Sequence, residues 1–414
     1  MRRSYVWYYV LALIVSITIS KTPLEPIKAF IASLMFLLMP FNVGLLLYLP
    51  ISKLLKGGVS EGIAPVFLSW LLGYSLLSLI GGLLLYINAF NFSTLLYIAI
   101  TLSLLPLASR RVNGIVETLH INIRRIGYKR VLCLLFLSLI PIIYLKYYTP
   151  FPLTISPDQV MFHGLTLETL RSHPPRKLWH INYFSFYLMG ALLCGLCNCE
   201  PLSLYWMIVI CLYPLYALAI YLLSRRIKDD TTSFLAALLV PWLQGWVMGS
   251  APYLFLPRTL LMLLYPLILY VILDESVGSL NPKSYVTLLL ASSLPIIYYL
   301  PLWLNALPPL TWLTSFPLAS MAFLYLASFK RRISSVALIL GIASLLACLT
   351  HGRASLIYSV AVAIPLFALT VRSINHRYSL AFAYLLASIA FLSFISKWPG
   401  WSYLTINYAK LTPS

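Results

Sequence analysis

Asp158 lies in YYTPFPLTISPDQVMFHG, residues 147–164, part of the longest polar interruption of an otherwise hydrocarbon-like chain. Ser156-Pro157-Asp158-Gln159 has the order of a helix start. Serine is the N-cap, proline the first helical position, and glutamine three residues after the serine completes a capping box. Asp158 then falls in the first turn, where the helix dipole favours a negative charge. A carboxylate so placed stabilises a helix start. Aimed at a membrane–water boundary, it can also take a proton from an attacking hydroxyl as a general base. His163 is five residues further on, about 140° around a helix, so the two do not share a face. His163 therefore reads as a hydrogen-bonded loop residue before it reads as a catalytic partner, and Glu168 is a second acid of the same region.

Basic residues supply the complementary chemistry. Arg258 ends GSAPYLFLPR, Arg353 follows His351 in LTHGRAS, and Arg176 and Lys177 close SHPPRK. Arginine binds phosphate with a planar fork, and the glycine of HGR lets a ligand approach closely. Each position also fits snorkelling towards lipid headgroups. Two arginines at the ends of separate helices, with no acid nearby, can together hold a lipid phosphate. His163, Glu168, Arg258, His351 and Arg353 are therefore the candidate substrate-binding residues beside Asp158. Cys194, Cys197 and Cys199 form CGLCNC without a second Cys/His pair of matching spacing, which is short of a structural zinc set. They read as small apolar packing, with a disulfide at the outer face as the alternative. No metal or other cofactor is expected.

These residues must be positioned by membrane helices. The chain is 61% hydrophobic and 9% charged, against roughly 25% charged in soluble domains. Apolar runs of bilayer-spanning length cover 4–20, 27–50, 63–87, 93–107, 131–145, 201–223, 232–249, 259–273, 285–301, 303–327, 333–349, 355–370 and 378–396. With the N-terminus inside, 19 of the 29 basic residues fall on inner segments, as the positive-inside rule requires. The net charge of +19 is thus a property of membrane loops, and nucleic acid is excluded as a partner. Counting 183–198 as a further span would move Arg225, Arg226, Lys228, Lys330, Arg331 and Arg332 outside, so that stretch is expected to lie along the outer surface or to re-enter from it. The outer loop then runs over 146–200, a length usually reserved for function. Lys28, near the outer end of its span, is expected to snorkel. Asn91-Phe92-Ser93 is a glycosylation sequon squeezed between two spans.

The expected organisation is a four-span module over 1–107, a basic cytoplasmic linker over 108–130, a second transmembrane module over 131–396 and an outer tail over 397–414. The order of a span, SPDQVMFHGLTLETL, HPPRKLWHINYFSFYL and a multi-span bundle resembles the GT-C-fold glycosyltransferases, which include protein mannosyltransferases, aminoarabinose transferases and oligosaccharyltransferases. The resemblance covers about residues 131–396. The apolar runs and the charge distribution give an expected all-α polytopic membrane protein of about 13 transmembrane helices, in the plasma membrane with the N-terminus cytoplasmic and the long loop and C-terminus outside, and the resemblance implies a GT-C-like bundle with a long first outer loop. It further implies transfer of a sugar from a polyprenyl-phosphate (dolichyl-phosphate-like) carrier to a glycan, lipid or protein acceptor, with Asp158 matching the acid of the first outer loop. GSAPYLFLPR carries no acid where many members have one, so the carboxylate set of a metal-dependent oligosaccharyltransferase is missing and a metal-independent transferase is implied. A polymerase or ligase of lipid-linked glycans, a transporter or flippase, and a non-catalytic membrane scaffold are the alternatives.

This layout makes a direct prediction. Single cysteines introduced at Ser172 and Ser224 of a cysteine-free variant should be labelled by an impermeant maleimide from opposite sides of sealed membranes. Labelling of both from one side would overturn it.

Overall fold

A computed structural model describes residues 4–52, 64–109, 112, 115, 127–148, 157–174, 183–225, 229–247, 257–274, parts of 288–298, 309–329 and 335–350. All secondary structure among the described residues is helical. In chain order the α-helices are α1 (Ser4–Ile19), α2 (Glu25–Ile51), α3 (Ala64–Tyr86), α4 (Phe92–Leu104, extended by a 3-10 turn), α5 (Tyr128–Tyr148), α6 (Pro157–Leu170), α7 (Phe184–Cys197), α8 (Pro201–Ser224), α9 (Asp230–Val247), α10 (Pro257–Asp274), α11 (Pro309–Phe329) and α12 (Ser335–Thr350). Among the described residues α2, α3 and α8 are long and apolar enough to cross a bilayer. Of the predicted spans, 355–370 and 378–396 lie outside the described residues and 285–301 is described only in part. The outward surface suits hydrocarbon. Leu132, Phe136, Ile140 and Ile143 of α5 and Trp7, Leu11 and Ile14 of α1 are exposed at helical spacing, stripes that water would not tolerate on a monomer.

The inner contacts start where α2 crosses α3. A Cβ on Gly44 would stand 1.6 Å from the Ser69 carbonyl oxygen, and one on Gly73 would stand 1.8 Å from that of Pro40. Two backbones therefore touch through small residues four apart on each helix, the arrangement that lets membrane helices approach closely. Pro40 has no N–H, so the Phe36 carbonyl one turn earlier loses its helical donor. Trp70 of α3 replaces it, with Nε1 donating to Phe36 O at 3.0 Å. Buried serines and threonines close on their own helices: Ser33, Ser69 and Thr166 donate to the carbonyls of Ala29, Pro65 and Phe162. Asn91, the sequon asparagine, caps α4 by accepting from the Thr94 N–H at 3.1 Å.

The structure bears on the expectation that 183–198 lies along the outer surface. Helix α7 does not lie along a surface: nearly all of it is buried, packed against α2, α3, α6 and α12. Near its start, the Ser185 carbonyl accepts from Tyr74 Oη at 3.2 Å, about 18 Å along α3 from Tyr86 at 1.5 Å per residue. Its end joins α8 beside the start of α2, where the Lys28 ammonium meets Asn198. Helix α7 is thus a short apolar helix of 14 residues enclosed by the bundle. Through it α2 and α3 share one hydrophobic core with α8 and α12.

The Pro40–Trp70 arrangement can be tested as a double-mutant cycle. Trp70→Phe leaves the Phe36 carbonyl buried without a donor and should cost about 1–3 kcal/mol, read as detergent-micelle unfolding. Adding Pro40→Ala restores an N–H one turn away and should recover part of that loss. Strictly additive effects would show the two groups to be uncoupled.

Candidate functional site

Helix α6 begins at Pro157, as the helix-start pattern predicts, and places Asp158 in its first turn; the Asp158 side chain lies outside the described residues. One turn later Phe162 packs edge-on against Tyr183 and Phe186, with ring centroids 5.2 Å apart in each case. The start of α6 therefore abuts the start of α7. On α7, Ser185 Oγ donates to the Leu349 carbonyl at 2.7 Å and lies 3.1 Å from Thr350 Oγ1. Leu349 and Thr350 end α12 and run directly into His351, Gly352 and Arg353. Two helix starts and one helix end thus meet, tied by the hydroxyls of Tyr74, Ser185 and Thr350. The N-cap residue of α7, Tyr183, makes no side-chain capping bond. Helix starts carry N–H groups without intrahelical acceptors and a partial positive charge, and the end of α12 brings the opposite partial charge beside them.

The remaining sequence candidates fall differently. Arg258 is the second residue of α10, with its side chain outside the described residues, and His351 and Arg353 lie outside them altogether. Glu168 is exposed on α6. His163 is turned towards Glu200, its Nδ1 2.9 Å from Glu200 Oε1. That separation is an ion-pair distance when the imidazole is protonated, but the oxygen lies off the ring N–H direction, and the buried Nδ1 has no well-directed hydrogen bond among the described residues.

Glu200 belongs to a charged knot that joins α1, α2, α6, α7 and α8. It caps α8 by accepting from the Ser203 N–H at 3.0 Å, and its own N–H donates to Glu25 Oε1. Lys28, expected to snorkel, is instead 8% exposed. Its Nζ donates to the Asn198 carbonyl at 3.1 Å and lies 3.9 Å from Glu25 Oε2. Asn198, the left-handed residue closing α7, donates from Nδ2 to the Ser20 carbonyl at 3.2 Å. The correction has a clear cause: Lys28 meets the carbonyl-rich end of α7, where a cation offsets the helix dipole. Burial pushes the Glu200 carboxyl up. The His163 contact and the backbone N–H groups of Ser203 and Leu202 outweigh it, so the group sits below the ordinary carboxylate range.

A second charged group lies at the far end of α8. Asp230 is paired with Arg130 and with Arg225, whose Nε is 3.3 Å from Oδ1, and it accepts from the Tyr221 hydroxyl. Asp229 caps α9 by accepting from Thr232 N and Oγ1 at 2.9 and 2.8 Å, bonds that hold its carboxyl below the usual range. Arg130 and Arg225 therefore share one end of the bundle, opposite Glu25 and Glu200. Sequence reasoning did not identify Glu25, Asn198 and Glu200 as one site. The available signals were Glu25 and Lys28 one turn apart and an acid immediately before Pro201.

No protein-family model, no curated protein and no solved structure matches the chain.

The lowered Glu200 carboxyl sets a pH dependence. Its contribution to stability is present above its unfolded value of about 4.3 and is lost as pH falls through the lower folded value. Glu200→Gln should melt at a lower temperature than the parent protein at neutral pH. The gap should narrow once the pH drops below about 4.3. A gap independent of pH would remove the carboxylate from the account.

Proposed function

We propose that the chain is a polytopic membrane glycosyltransferase of GT-C type, with about 13 spans, that transfers a sugar from a polyprenyl-phosphate carrier at the outer face. The N-terminus and the Arg130–Asp230–Arg225 group then lie on the cytoplasmic side, and the Glu25–Glu200 knot lies outside. Asp158 takes the proton of the acceptor hydroxyl. The acceptor oxygen bonds to the anomeric carbon, the bond from that carbon to the phosphate oxygen breaks, and the lipid phosphate leaves with the electron pair. Arg353 and Arg258 stabilise that phosphate, the role preorganised cations play in transition-state stabilisation, and His351, His163 and Glu168 line the approach.

The observation that carries this reading is the meeting of the α6 start, the α7 start and the α12 end through Phe162, Tyr183, Ser185 and Thr350. It draws the backbone at Asp158 and the residue three before Arg353 towards one place, beside a helix start without a side-chain cap. A second reading rests on the short enclosed helix α7: interrupted helices are how many transporters build substrate sites, and a lipid-linked sugar flippase would use the same junction.

The two readings separate in reconstituted vesicles holding a labelled polyprenyl-phosphate sugar. Under the transferase reading, Asp158→Asn should lower transfer by roughly 10²–10⁴-fold, the scale of general-base catalysis, with donor binding retained. Arg353→Ala should weaken both donor binding and transfer, because it removes a charge-assisted contact. Transfer unchanged in Asp158→Asn ends the mechanism, and donor crossing the bilayer without transfer selects the flippase.

A further inference from the structure

We propose that Cys194 and Cys199 are a disulfide-forming pair that staples the turn between α7 and α8. Their sulfurs lie 3.5 Å apart. The backbone holds them there independently of the thiols, since the N–H groups of Asn198 and Cys199 both donate to the Cys194 carbonyl, the latter at 3.2 Å. Asn198, at φ 50° and ψ 46°, reverses the chain between them. Such a closed helix end holds its two flanking residues near one another, and a bond needs the sulfurs to close from 3.5 Å to about 2.05 Å. The geometry also chooses among the three cysteines of CGLCNC: the sulfur–sulfur contact joins Cys194 and Cys199, while the Cys197 thiol is hydrogen-bonded with Ser16 of α1 and also lies near Cys199.

The turn that this bond closes is the centre of the charged knot. Between Cys194 and Pro201 it presents the Asn198 carbonyl to Lys28, the Asn198 amide to Ser20, the Glu200 N–H to Glu25 and the Glu200 carboxylate to His163. A covalent staple fixes these groups relative to one another. The oxidant is a protein or small-molecule disulfide. The thiolate of Cys199, 6% exposed against 1% for Cys194, attacks one of its sulfurs, forming a mixed disulfide and releasing one carrier thiol. Cys194 thiolate then attacks the Cys199 sulfur and releases the second carrier thiol. Two protein thiols are oxidised and one carrier disulfide is reduced, by ordinary thiol–disulfide exchange.

The test uses the full chain in detergent micelles, equilibrated with oxidised or with reduced glutathione, then alkylated, digested and weighed. Expected after oxidation are two protected thiols and a peptide over 194–199 lighter by two hydrogens, with Cys197 still alkylated. Cys197→Ser should leave that outcome intact, whereas Cys194→Ser and Cys199→Ser should each abolish it. Amide exchange over 198–200 should slow in the oxidised form of both the parent protein and Cys197→Ser. A bond to Cys197, or three alkylated cysteines after oxidation, overturns the pairing. Equal amide exchange in the two redox forms overturns the staple. Neither readout depends on a sugar donor, so the result stands apart from the transferase reading.

Discussion

The backbone contact between α2 and α3 is the constraint from which the rest of the packing follows. Where Gly44 and Gly73 meet Ser69 and Pro40 there is no room for a side chain, so the two helices have one crossing point and one register. That register sets Trp70 opposite the carbonyl that Pro40 leaves free and brings the rings of Phe36, Trp70 and Tyr74 into tilted contact in succession. Tyr74 then reaches the Ser185 carbonyl, and Ser185 reaches Leu349 and Thr350. A chain of directional bonds thus runs from the α2–α3 crossing to α7 and on to α12. In a setting where lipid and core are equally apolar, close packing and such bonds, more than hydrophobic contrast, decide which helices associate.

Helix α8 sets the vertical scale. Glu200 caps one end, and Arg225 at the other pairs with Asp230 and so with Arg130. The intervening 24 residues span about 36 Å at 1.5 Å per residue, slightly more than a hydrocarbon core of about 30 Å. The charged groups therefore sit where headgroups would, and the exposed stripes on α1 and α5 occupy the depth between. Acid-capped starts at Glu200 and Asp229 serve both ends of the α8–α9 hairpin, each carboxylate stabilised by the N–H groups it accepts.

Helix positions were legible in the sequence because spanning length and turn chemistry are local: Pro157 starts α6, and the runs around 27–50, 63–87 and 201–223 became α2, α3 and α8. The interior arrangement was not legible, and the reason is specific. Helices α3 and α7 are apolar on every side, so periodicity cannot tell a buried face from a lipid-facing one. Charge counting argued against 183–198 as a full crossing but could not foresee a helix buried inside the bundle. The glycines hold the missing information. Gly190 and Gly195 meet the rings of Tyr205 and Phe92, and such small residues on an apolar helix mark enclosure. Lys28 was misplaced for a related reason: its partner is a backbone carbonyl, and carbonyls leave no mark in a sequence.

Helix α7 joins the two chemically distinct regions of the molecule. Its start carries the hydroxyl cluster where α6 and α12 end or begin, and its close carries Asn198 and the turn to Glu200. The two are about 20 Å apart along a helix at 1.5 Å per residue, and the helix between is buried on all sides. A helix so enclosed has little freedom to bend, because close-packed interiors shift between discrete arrangements and do not deform continuously. The Lys28, Glu25 and His163 contacts therefore bear on the seating of α7, whose start packs against α6. Helix α6 reinforces that link, since His163 touches Glu200 while Phe162, one residue earlier, packs on Tyr183 and Phe186. The charged knot is thereby packed against the same helices that form the junction, with the Glu200 side chain 42% exposed.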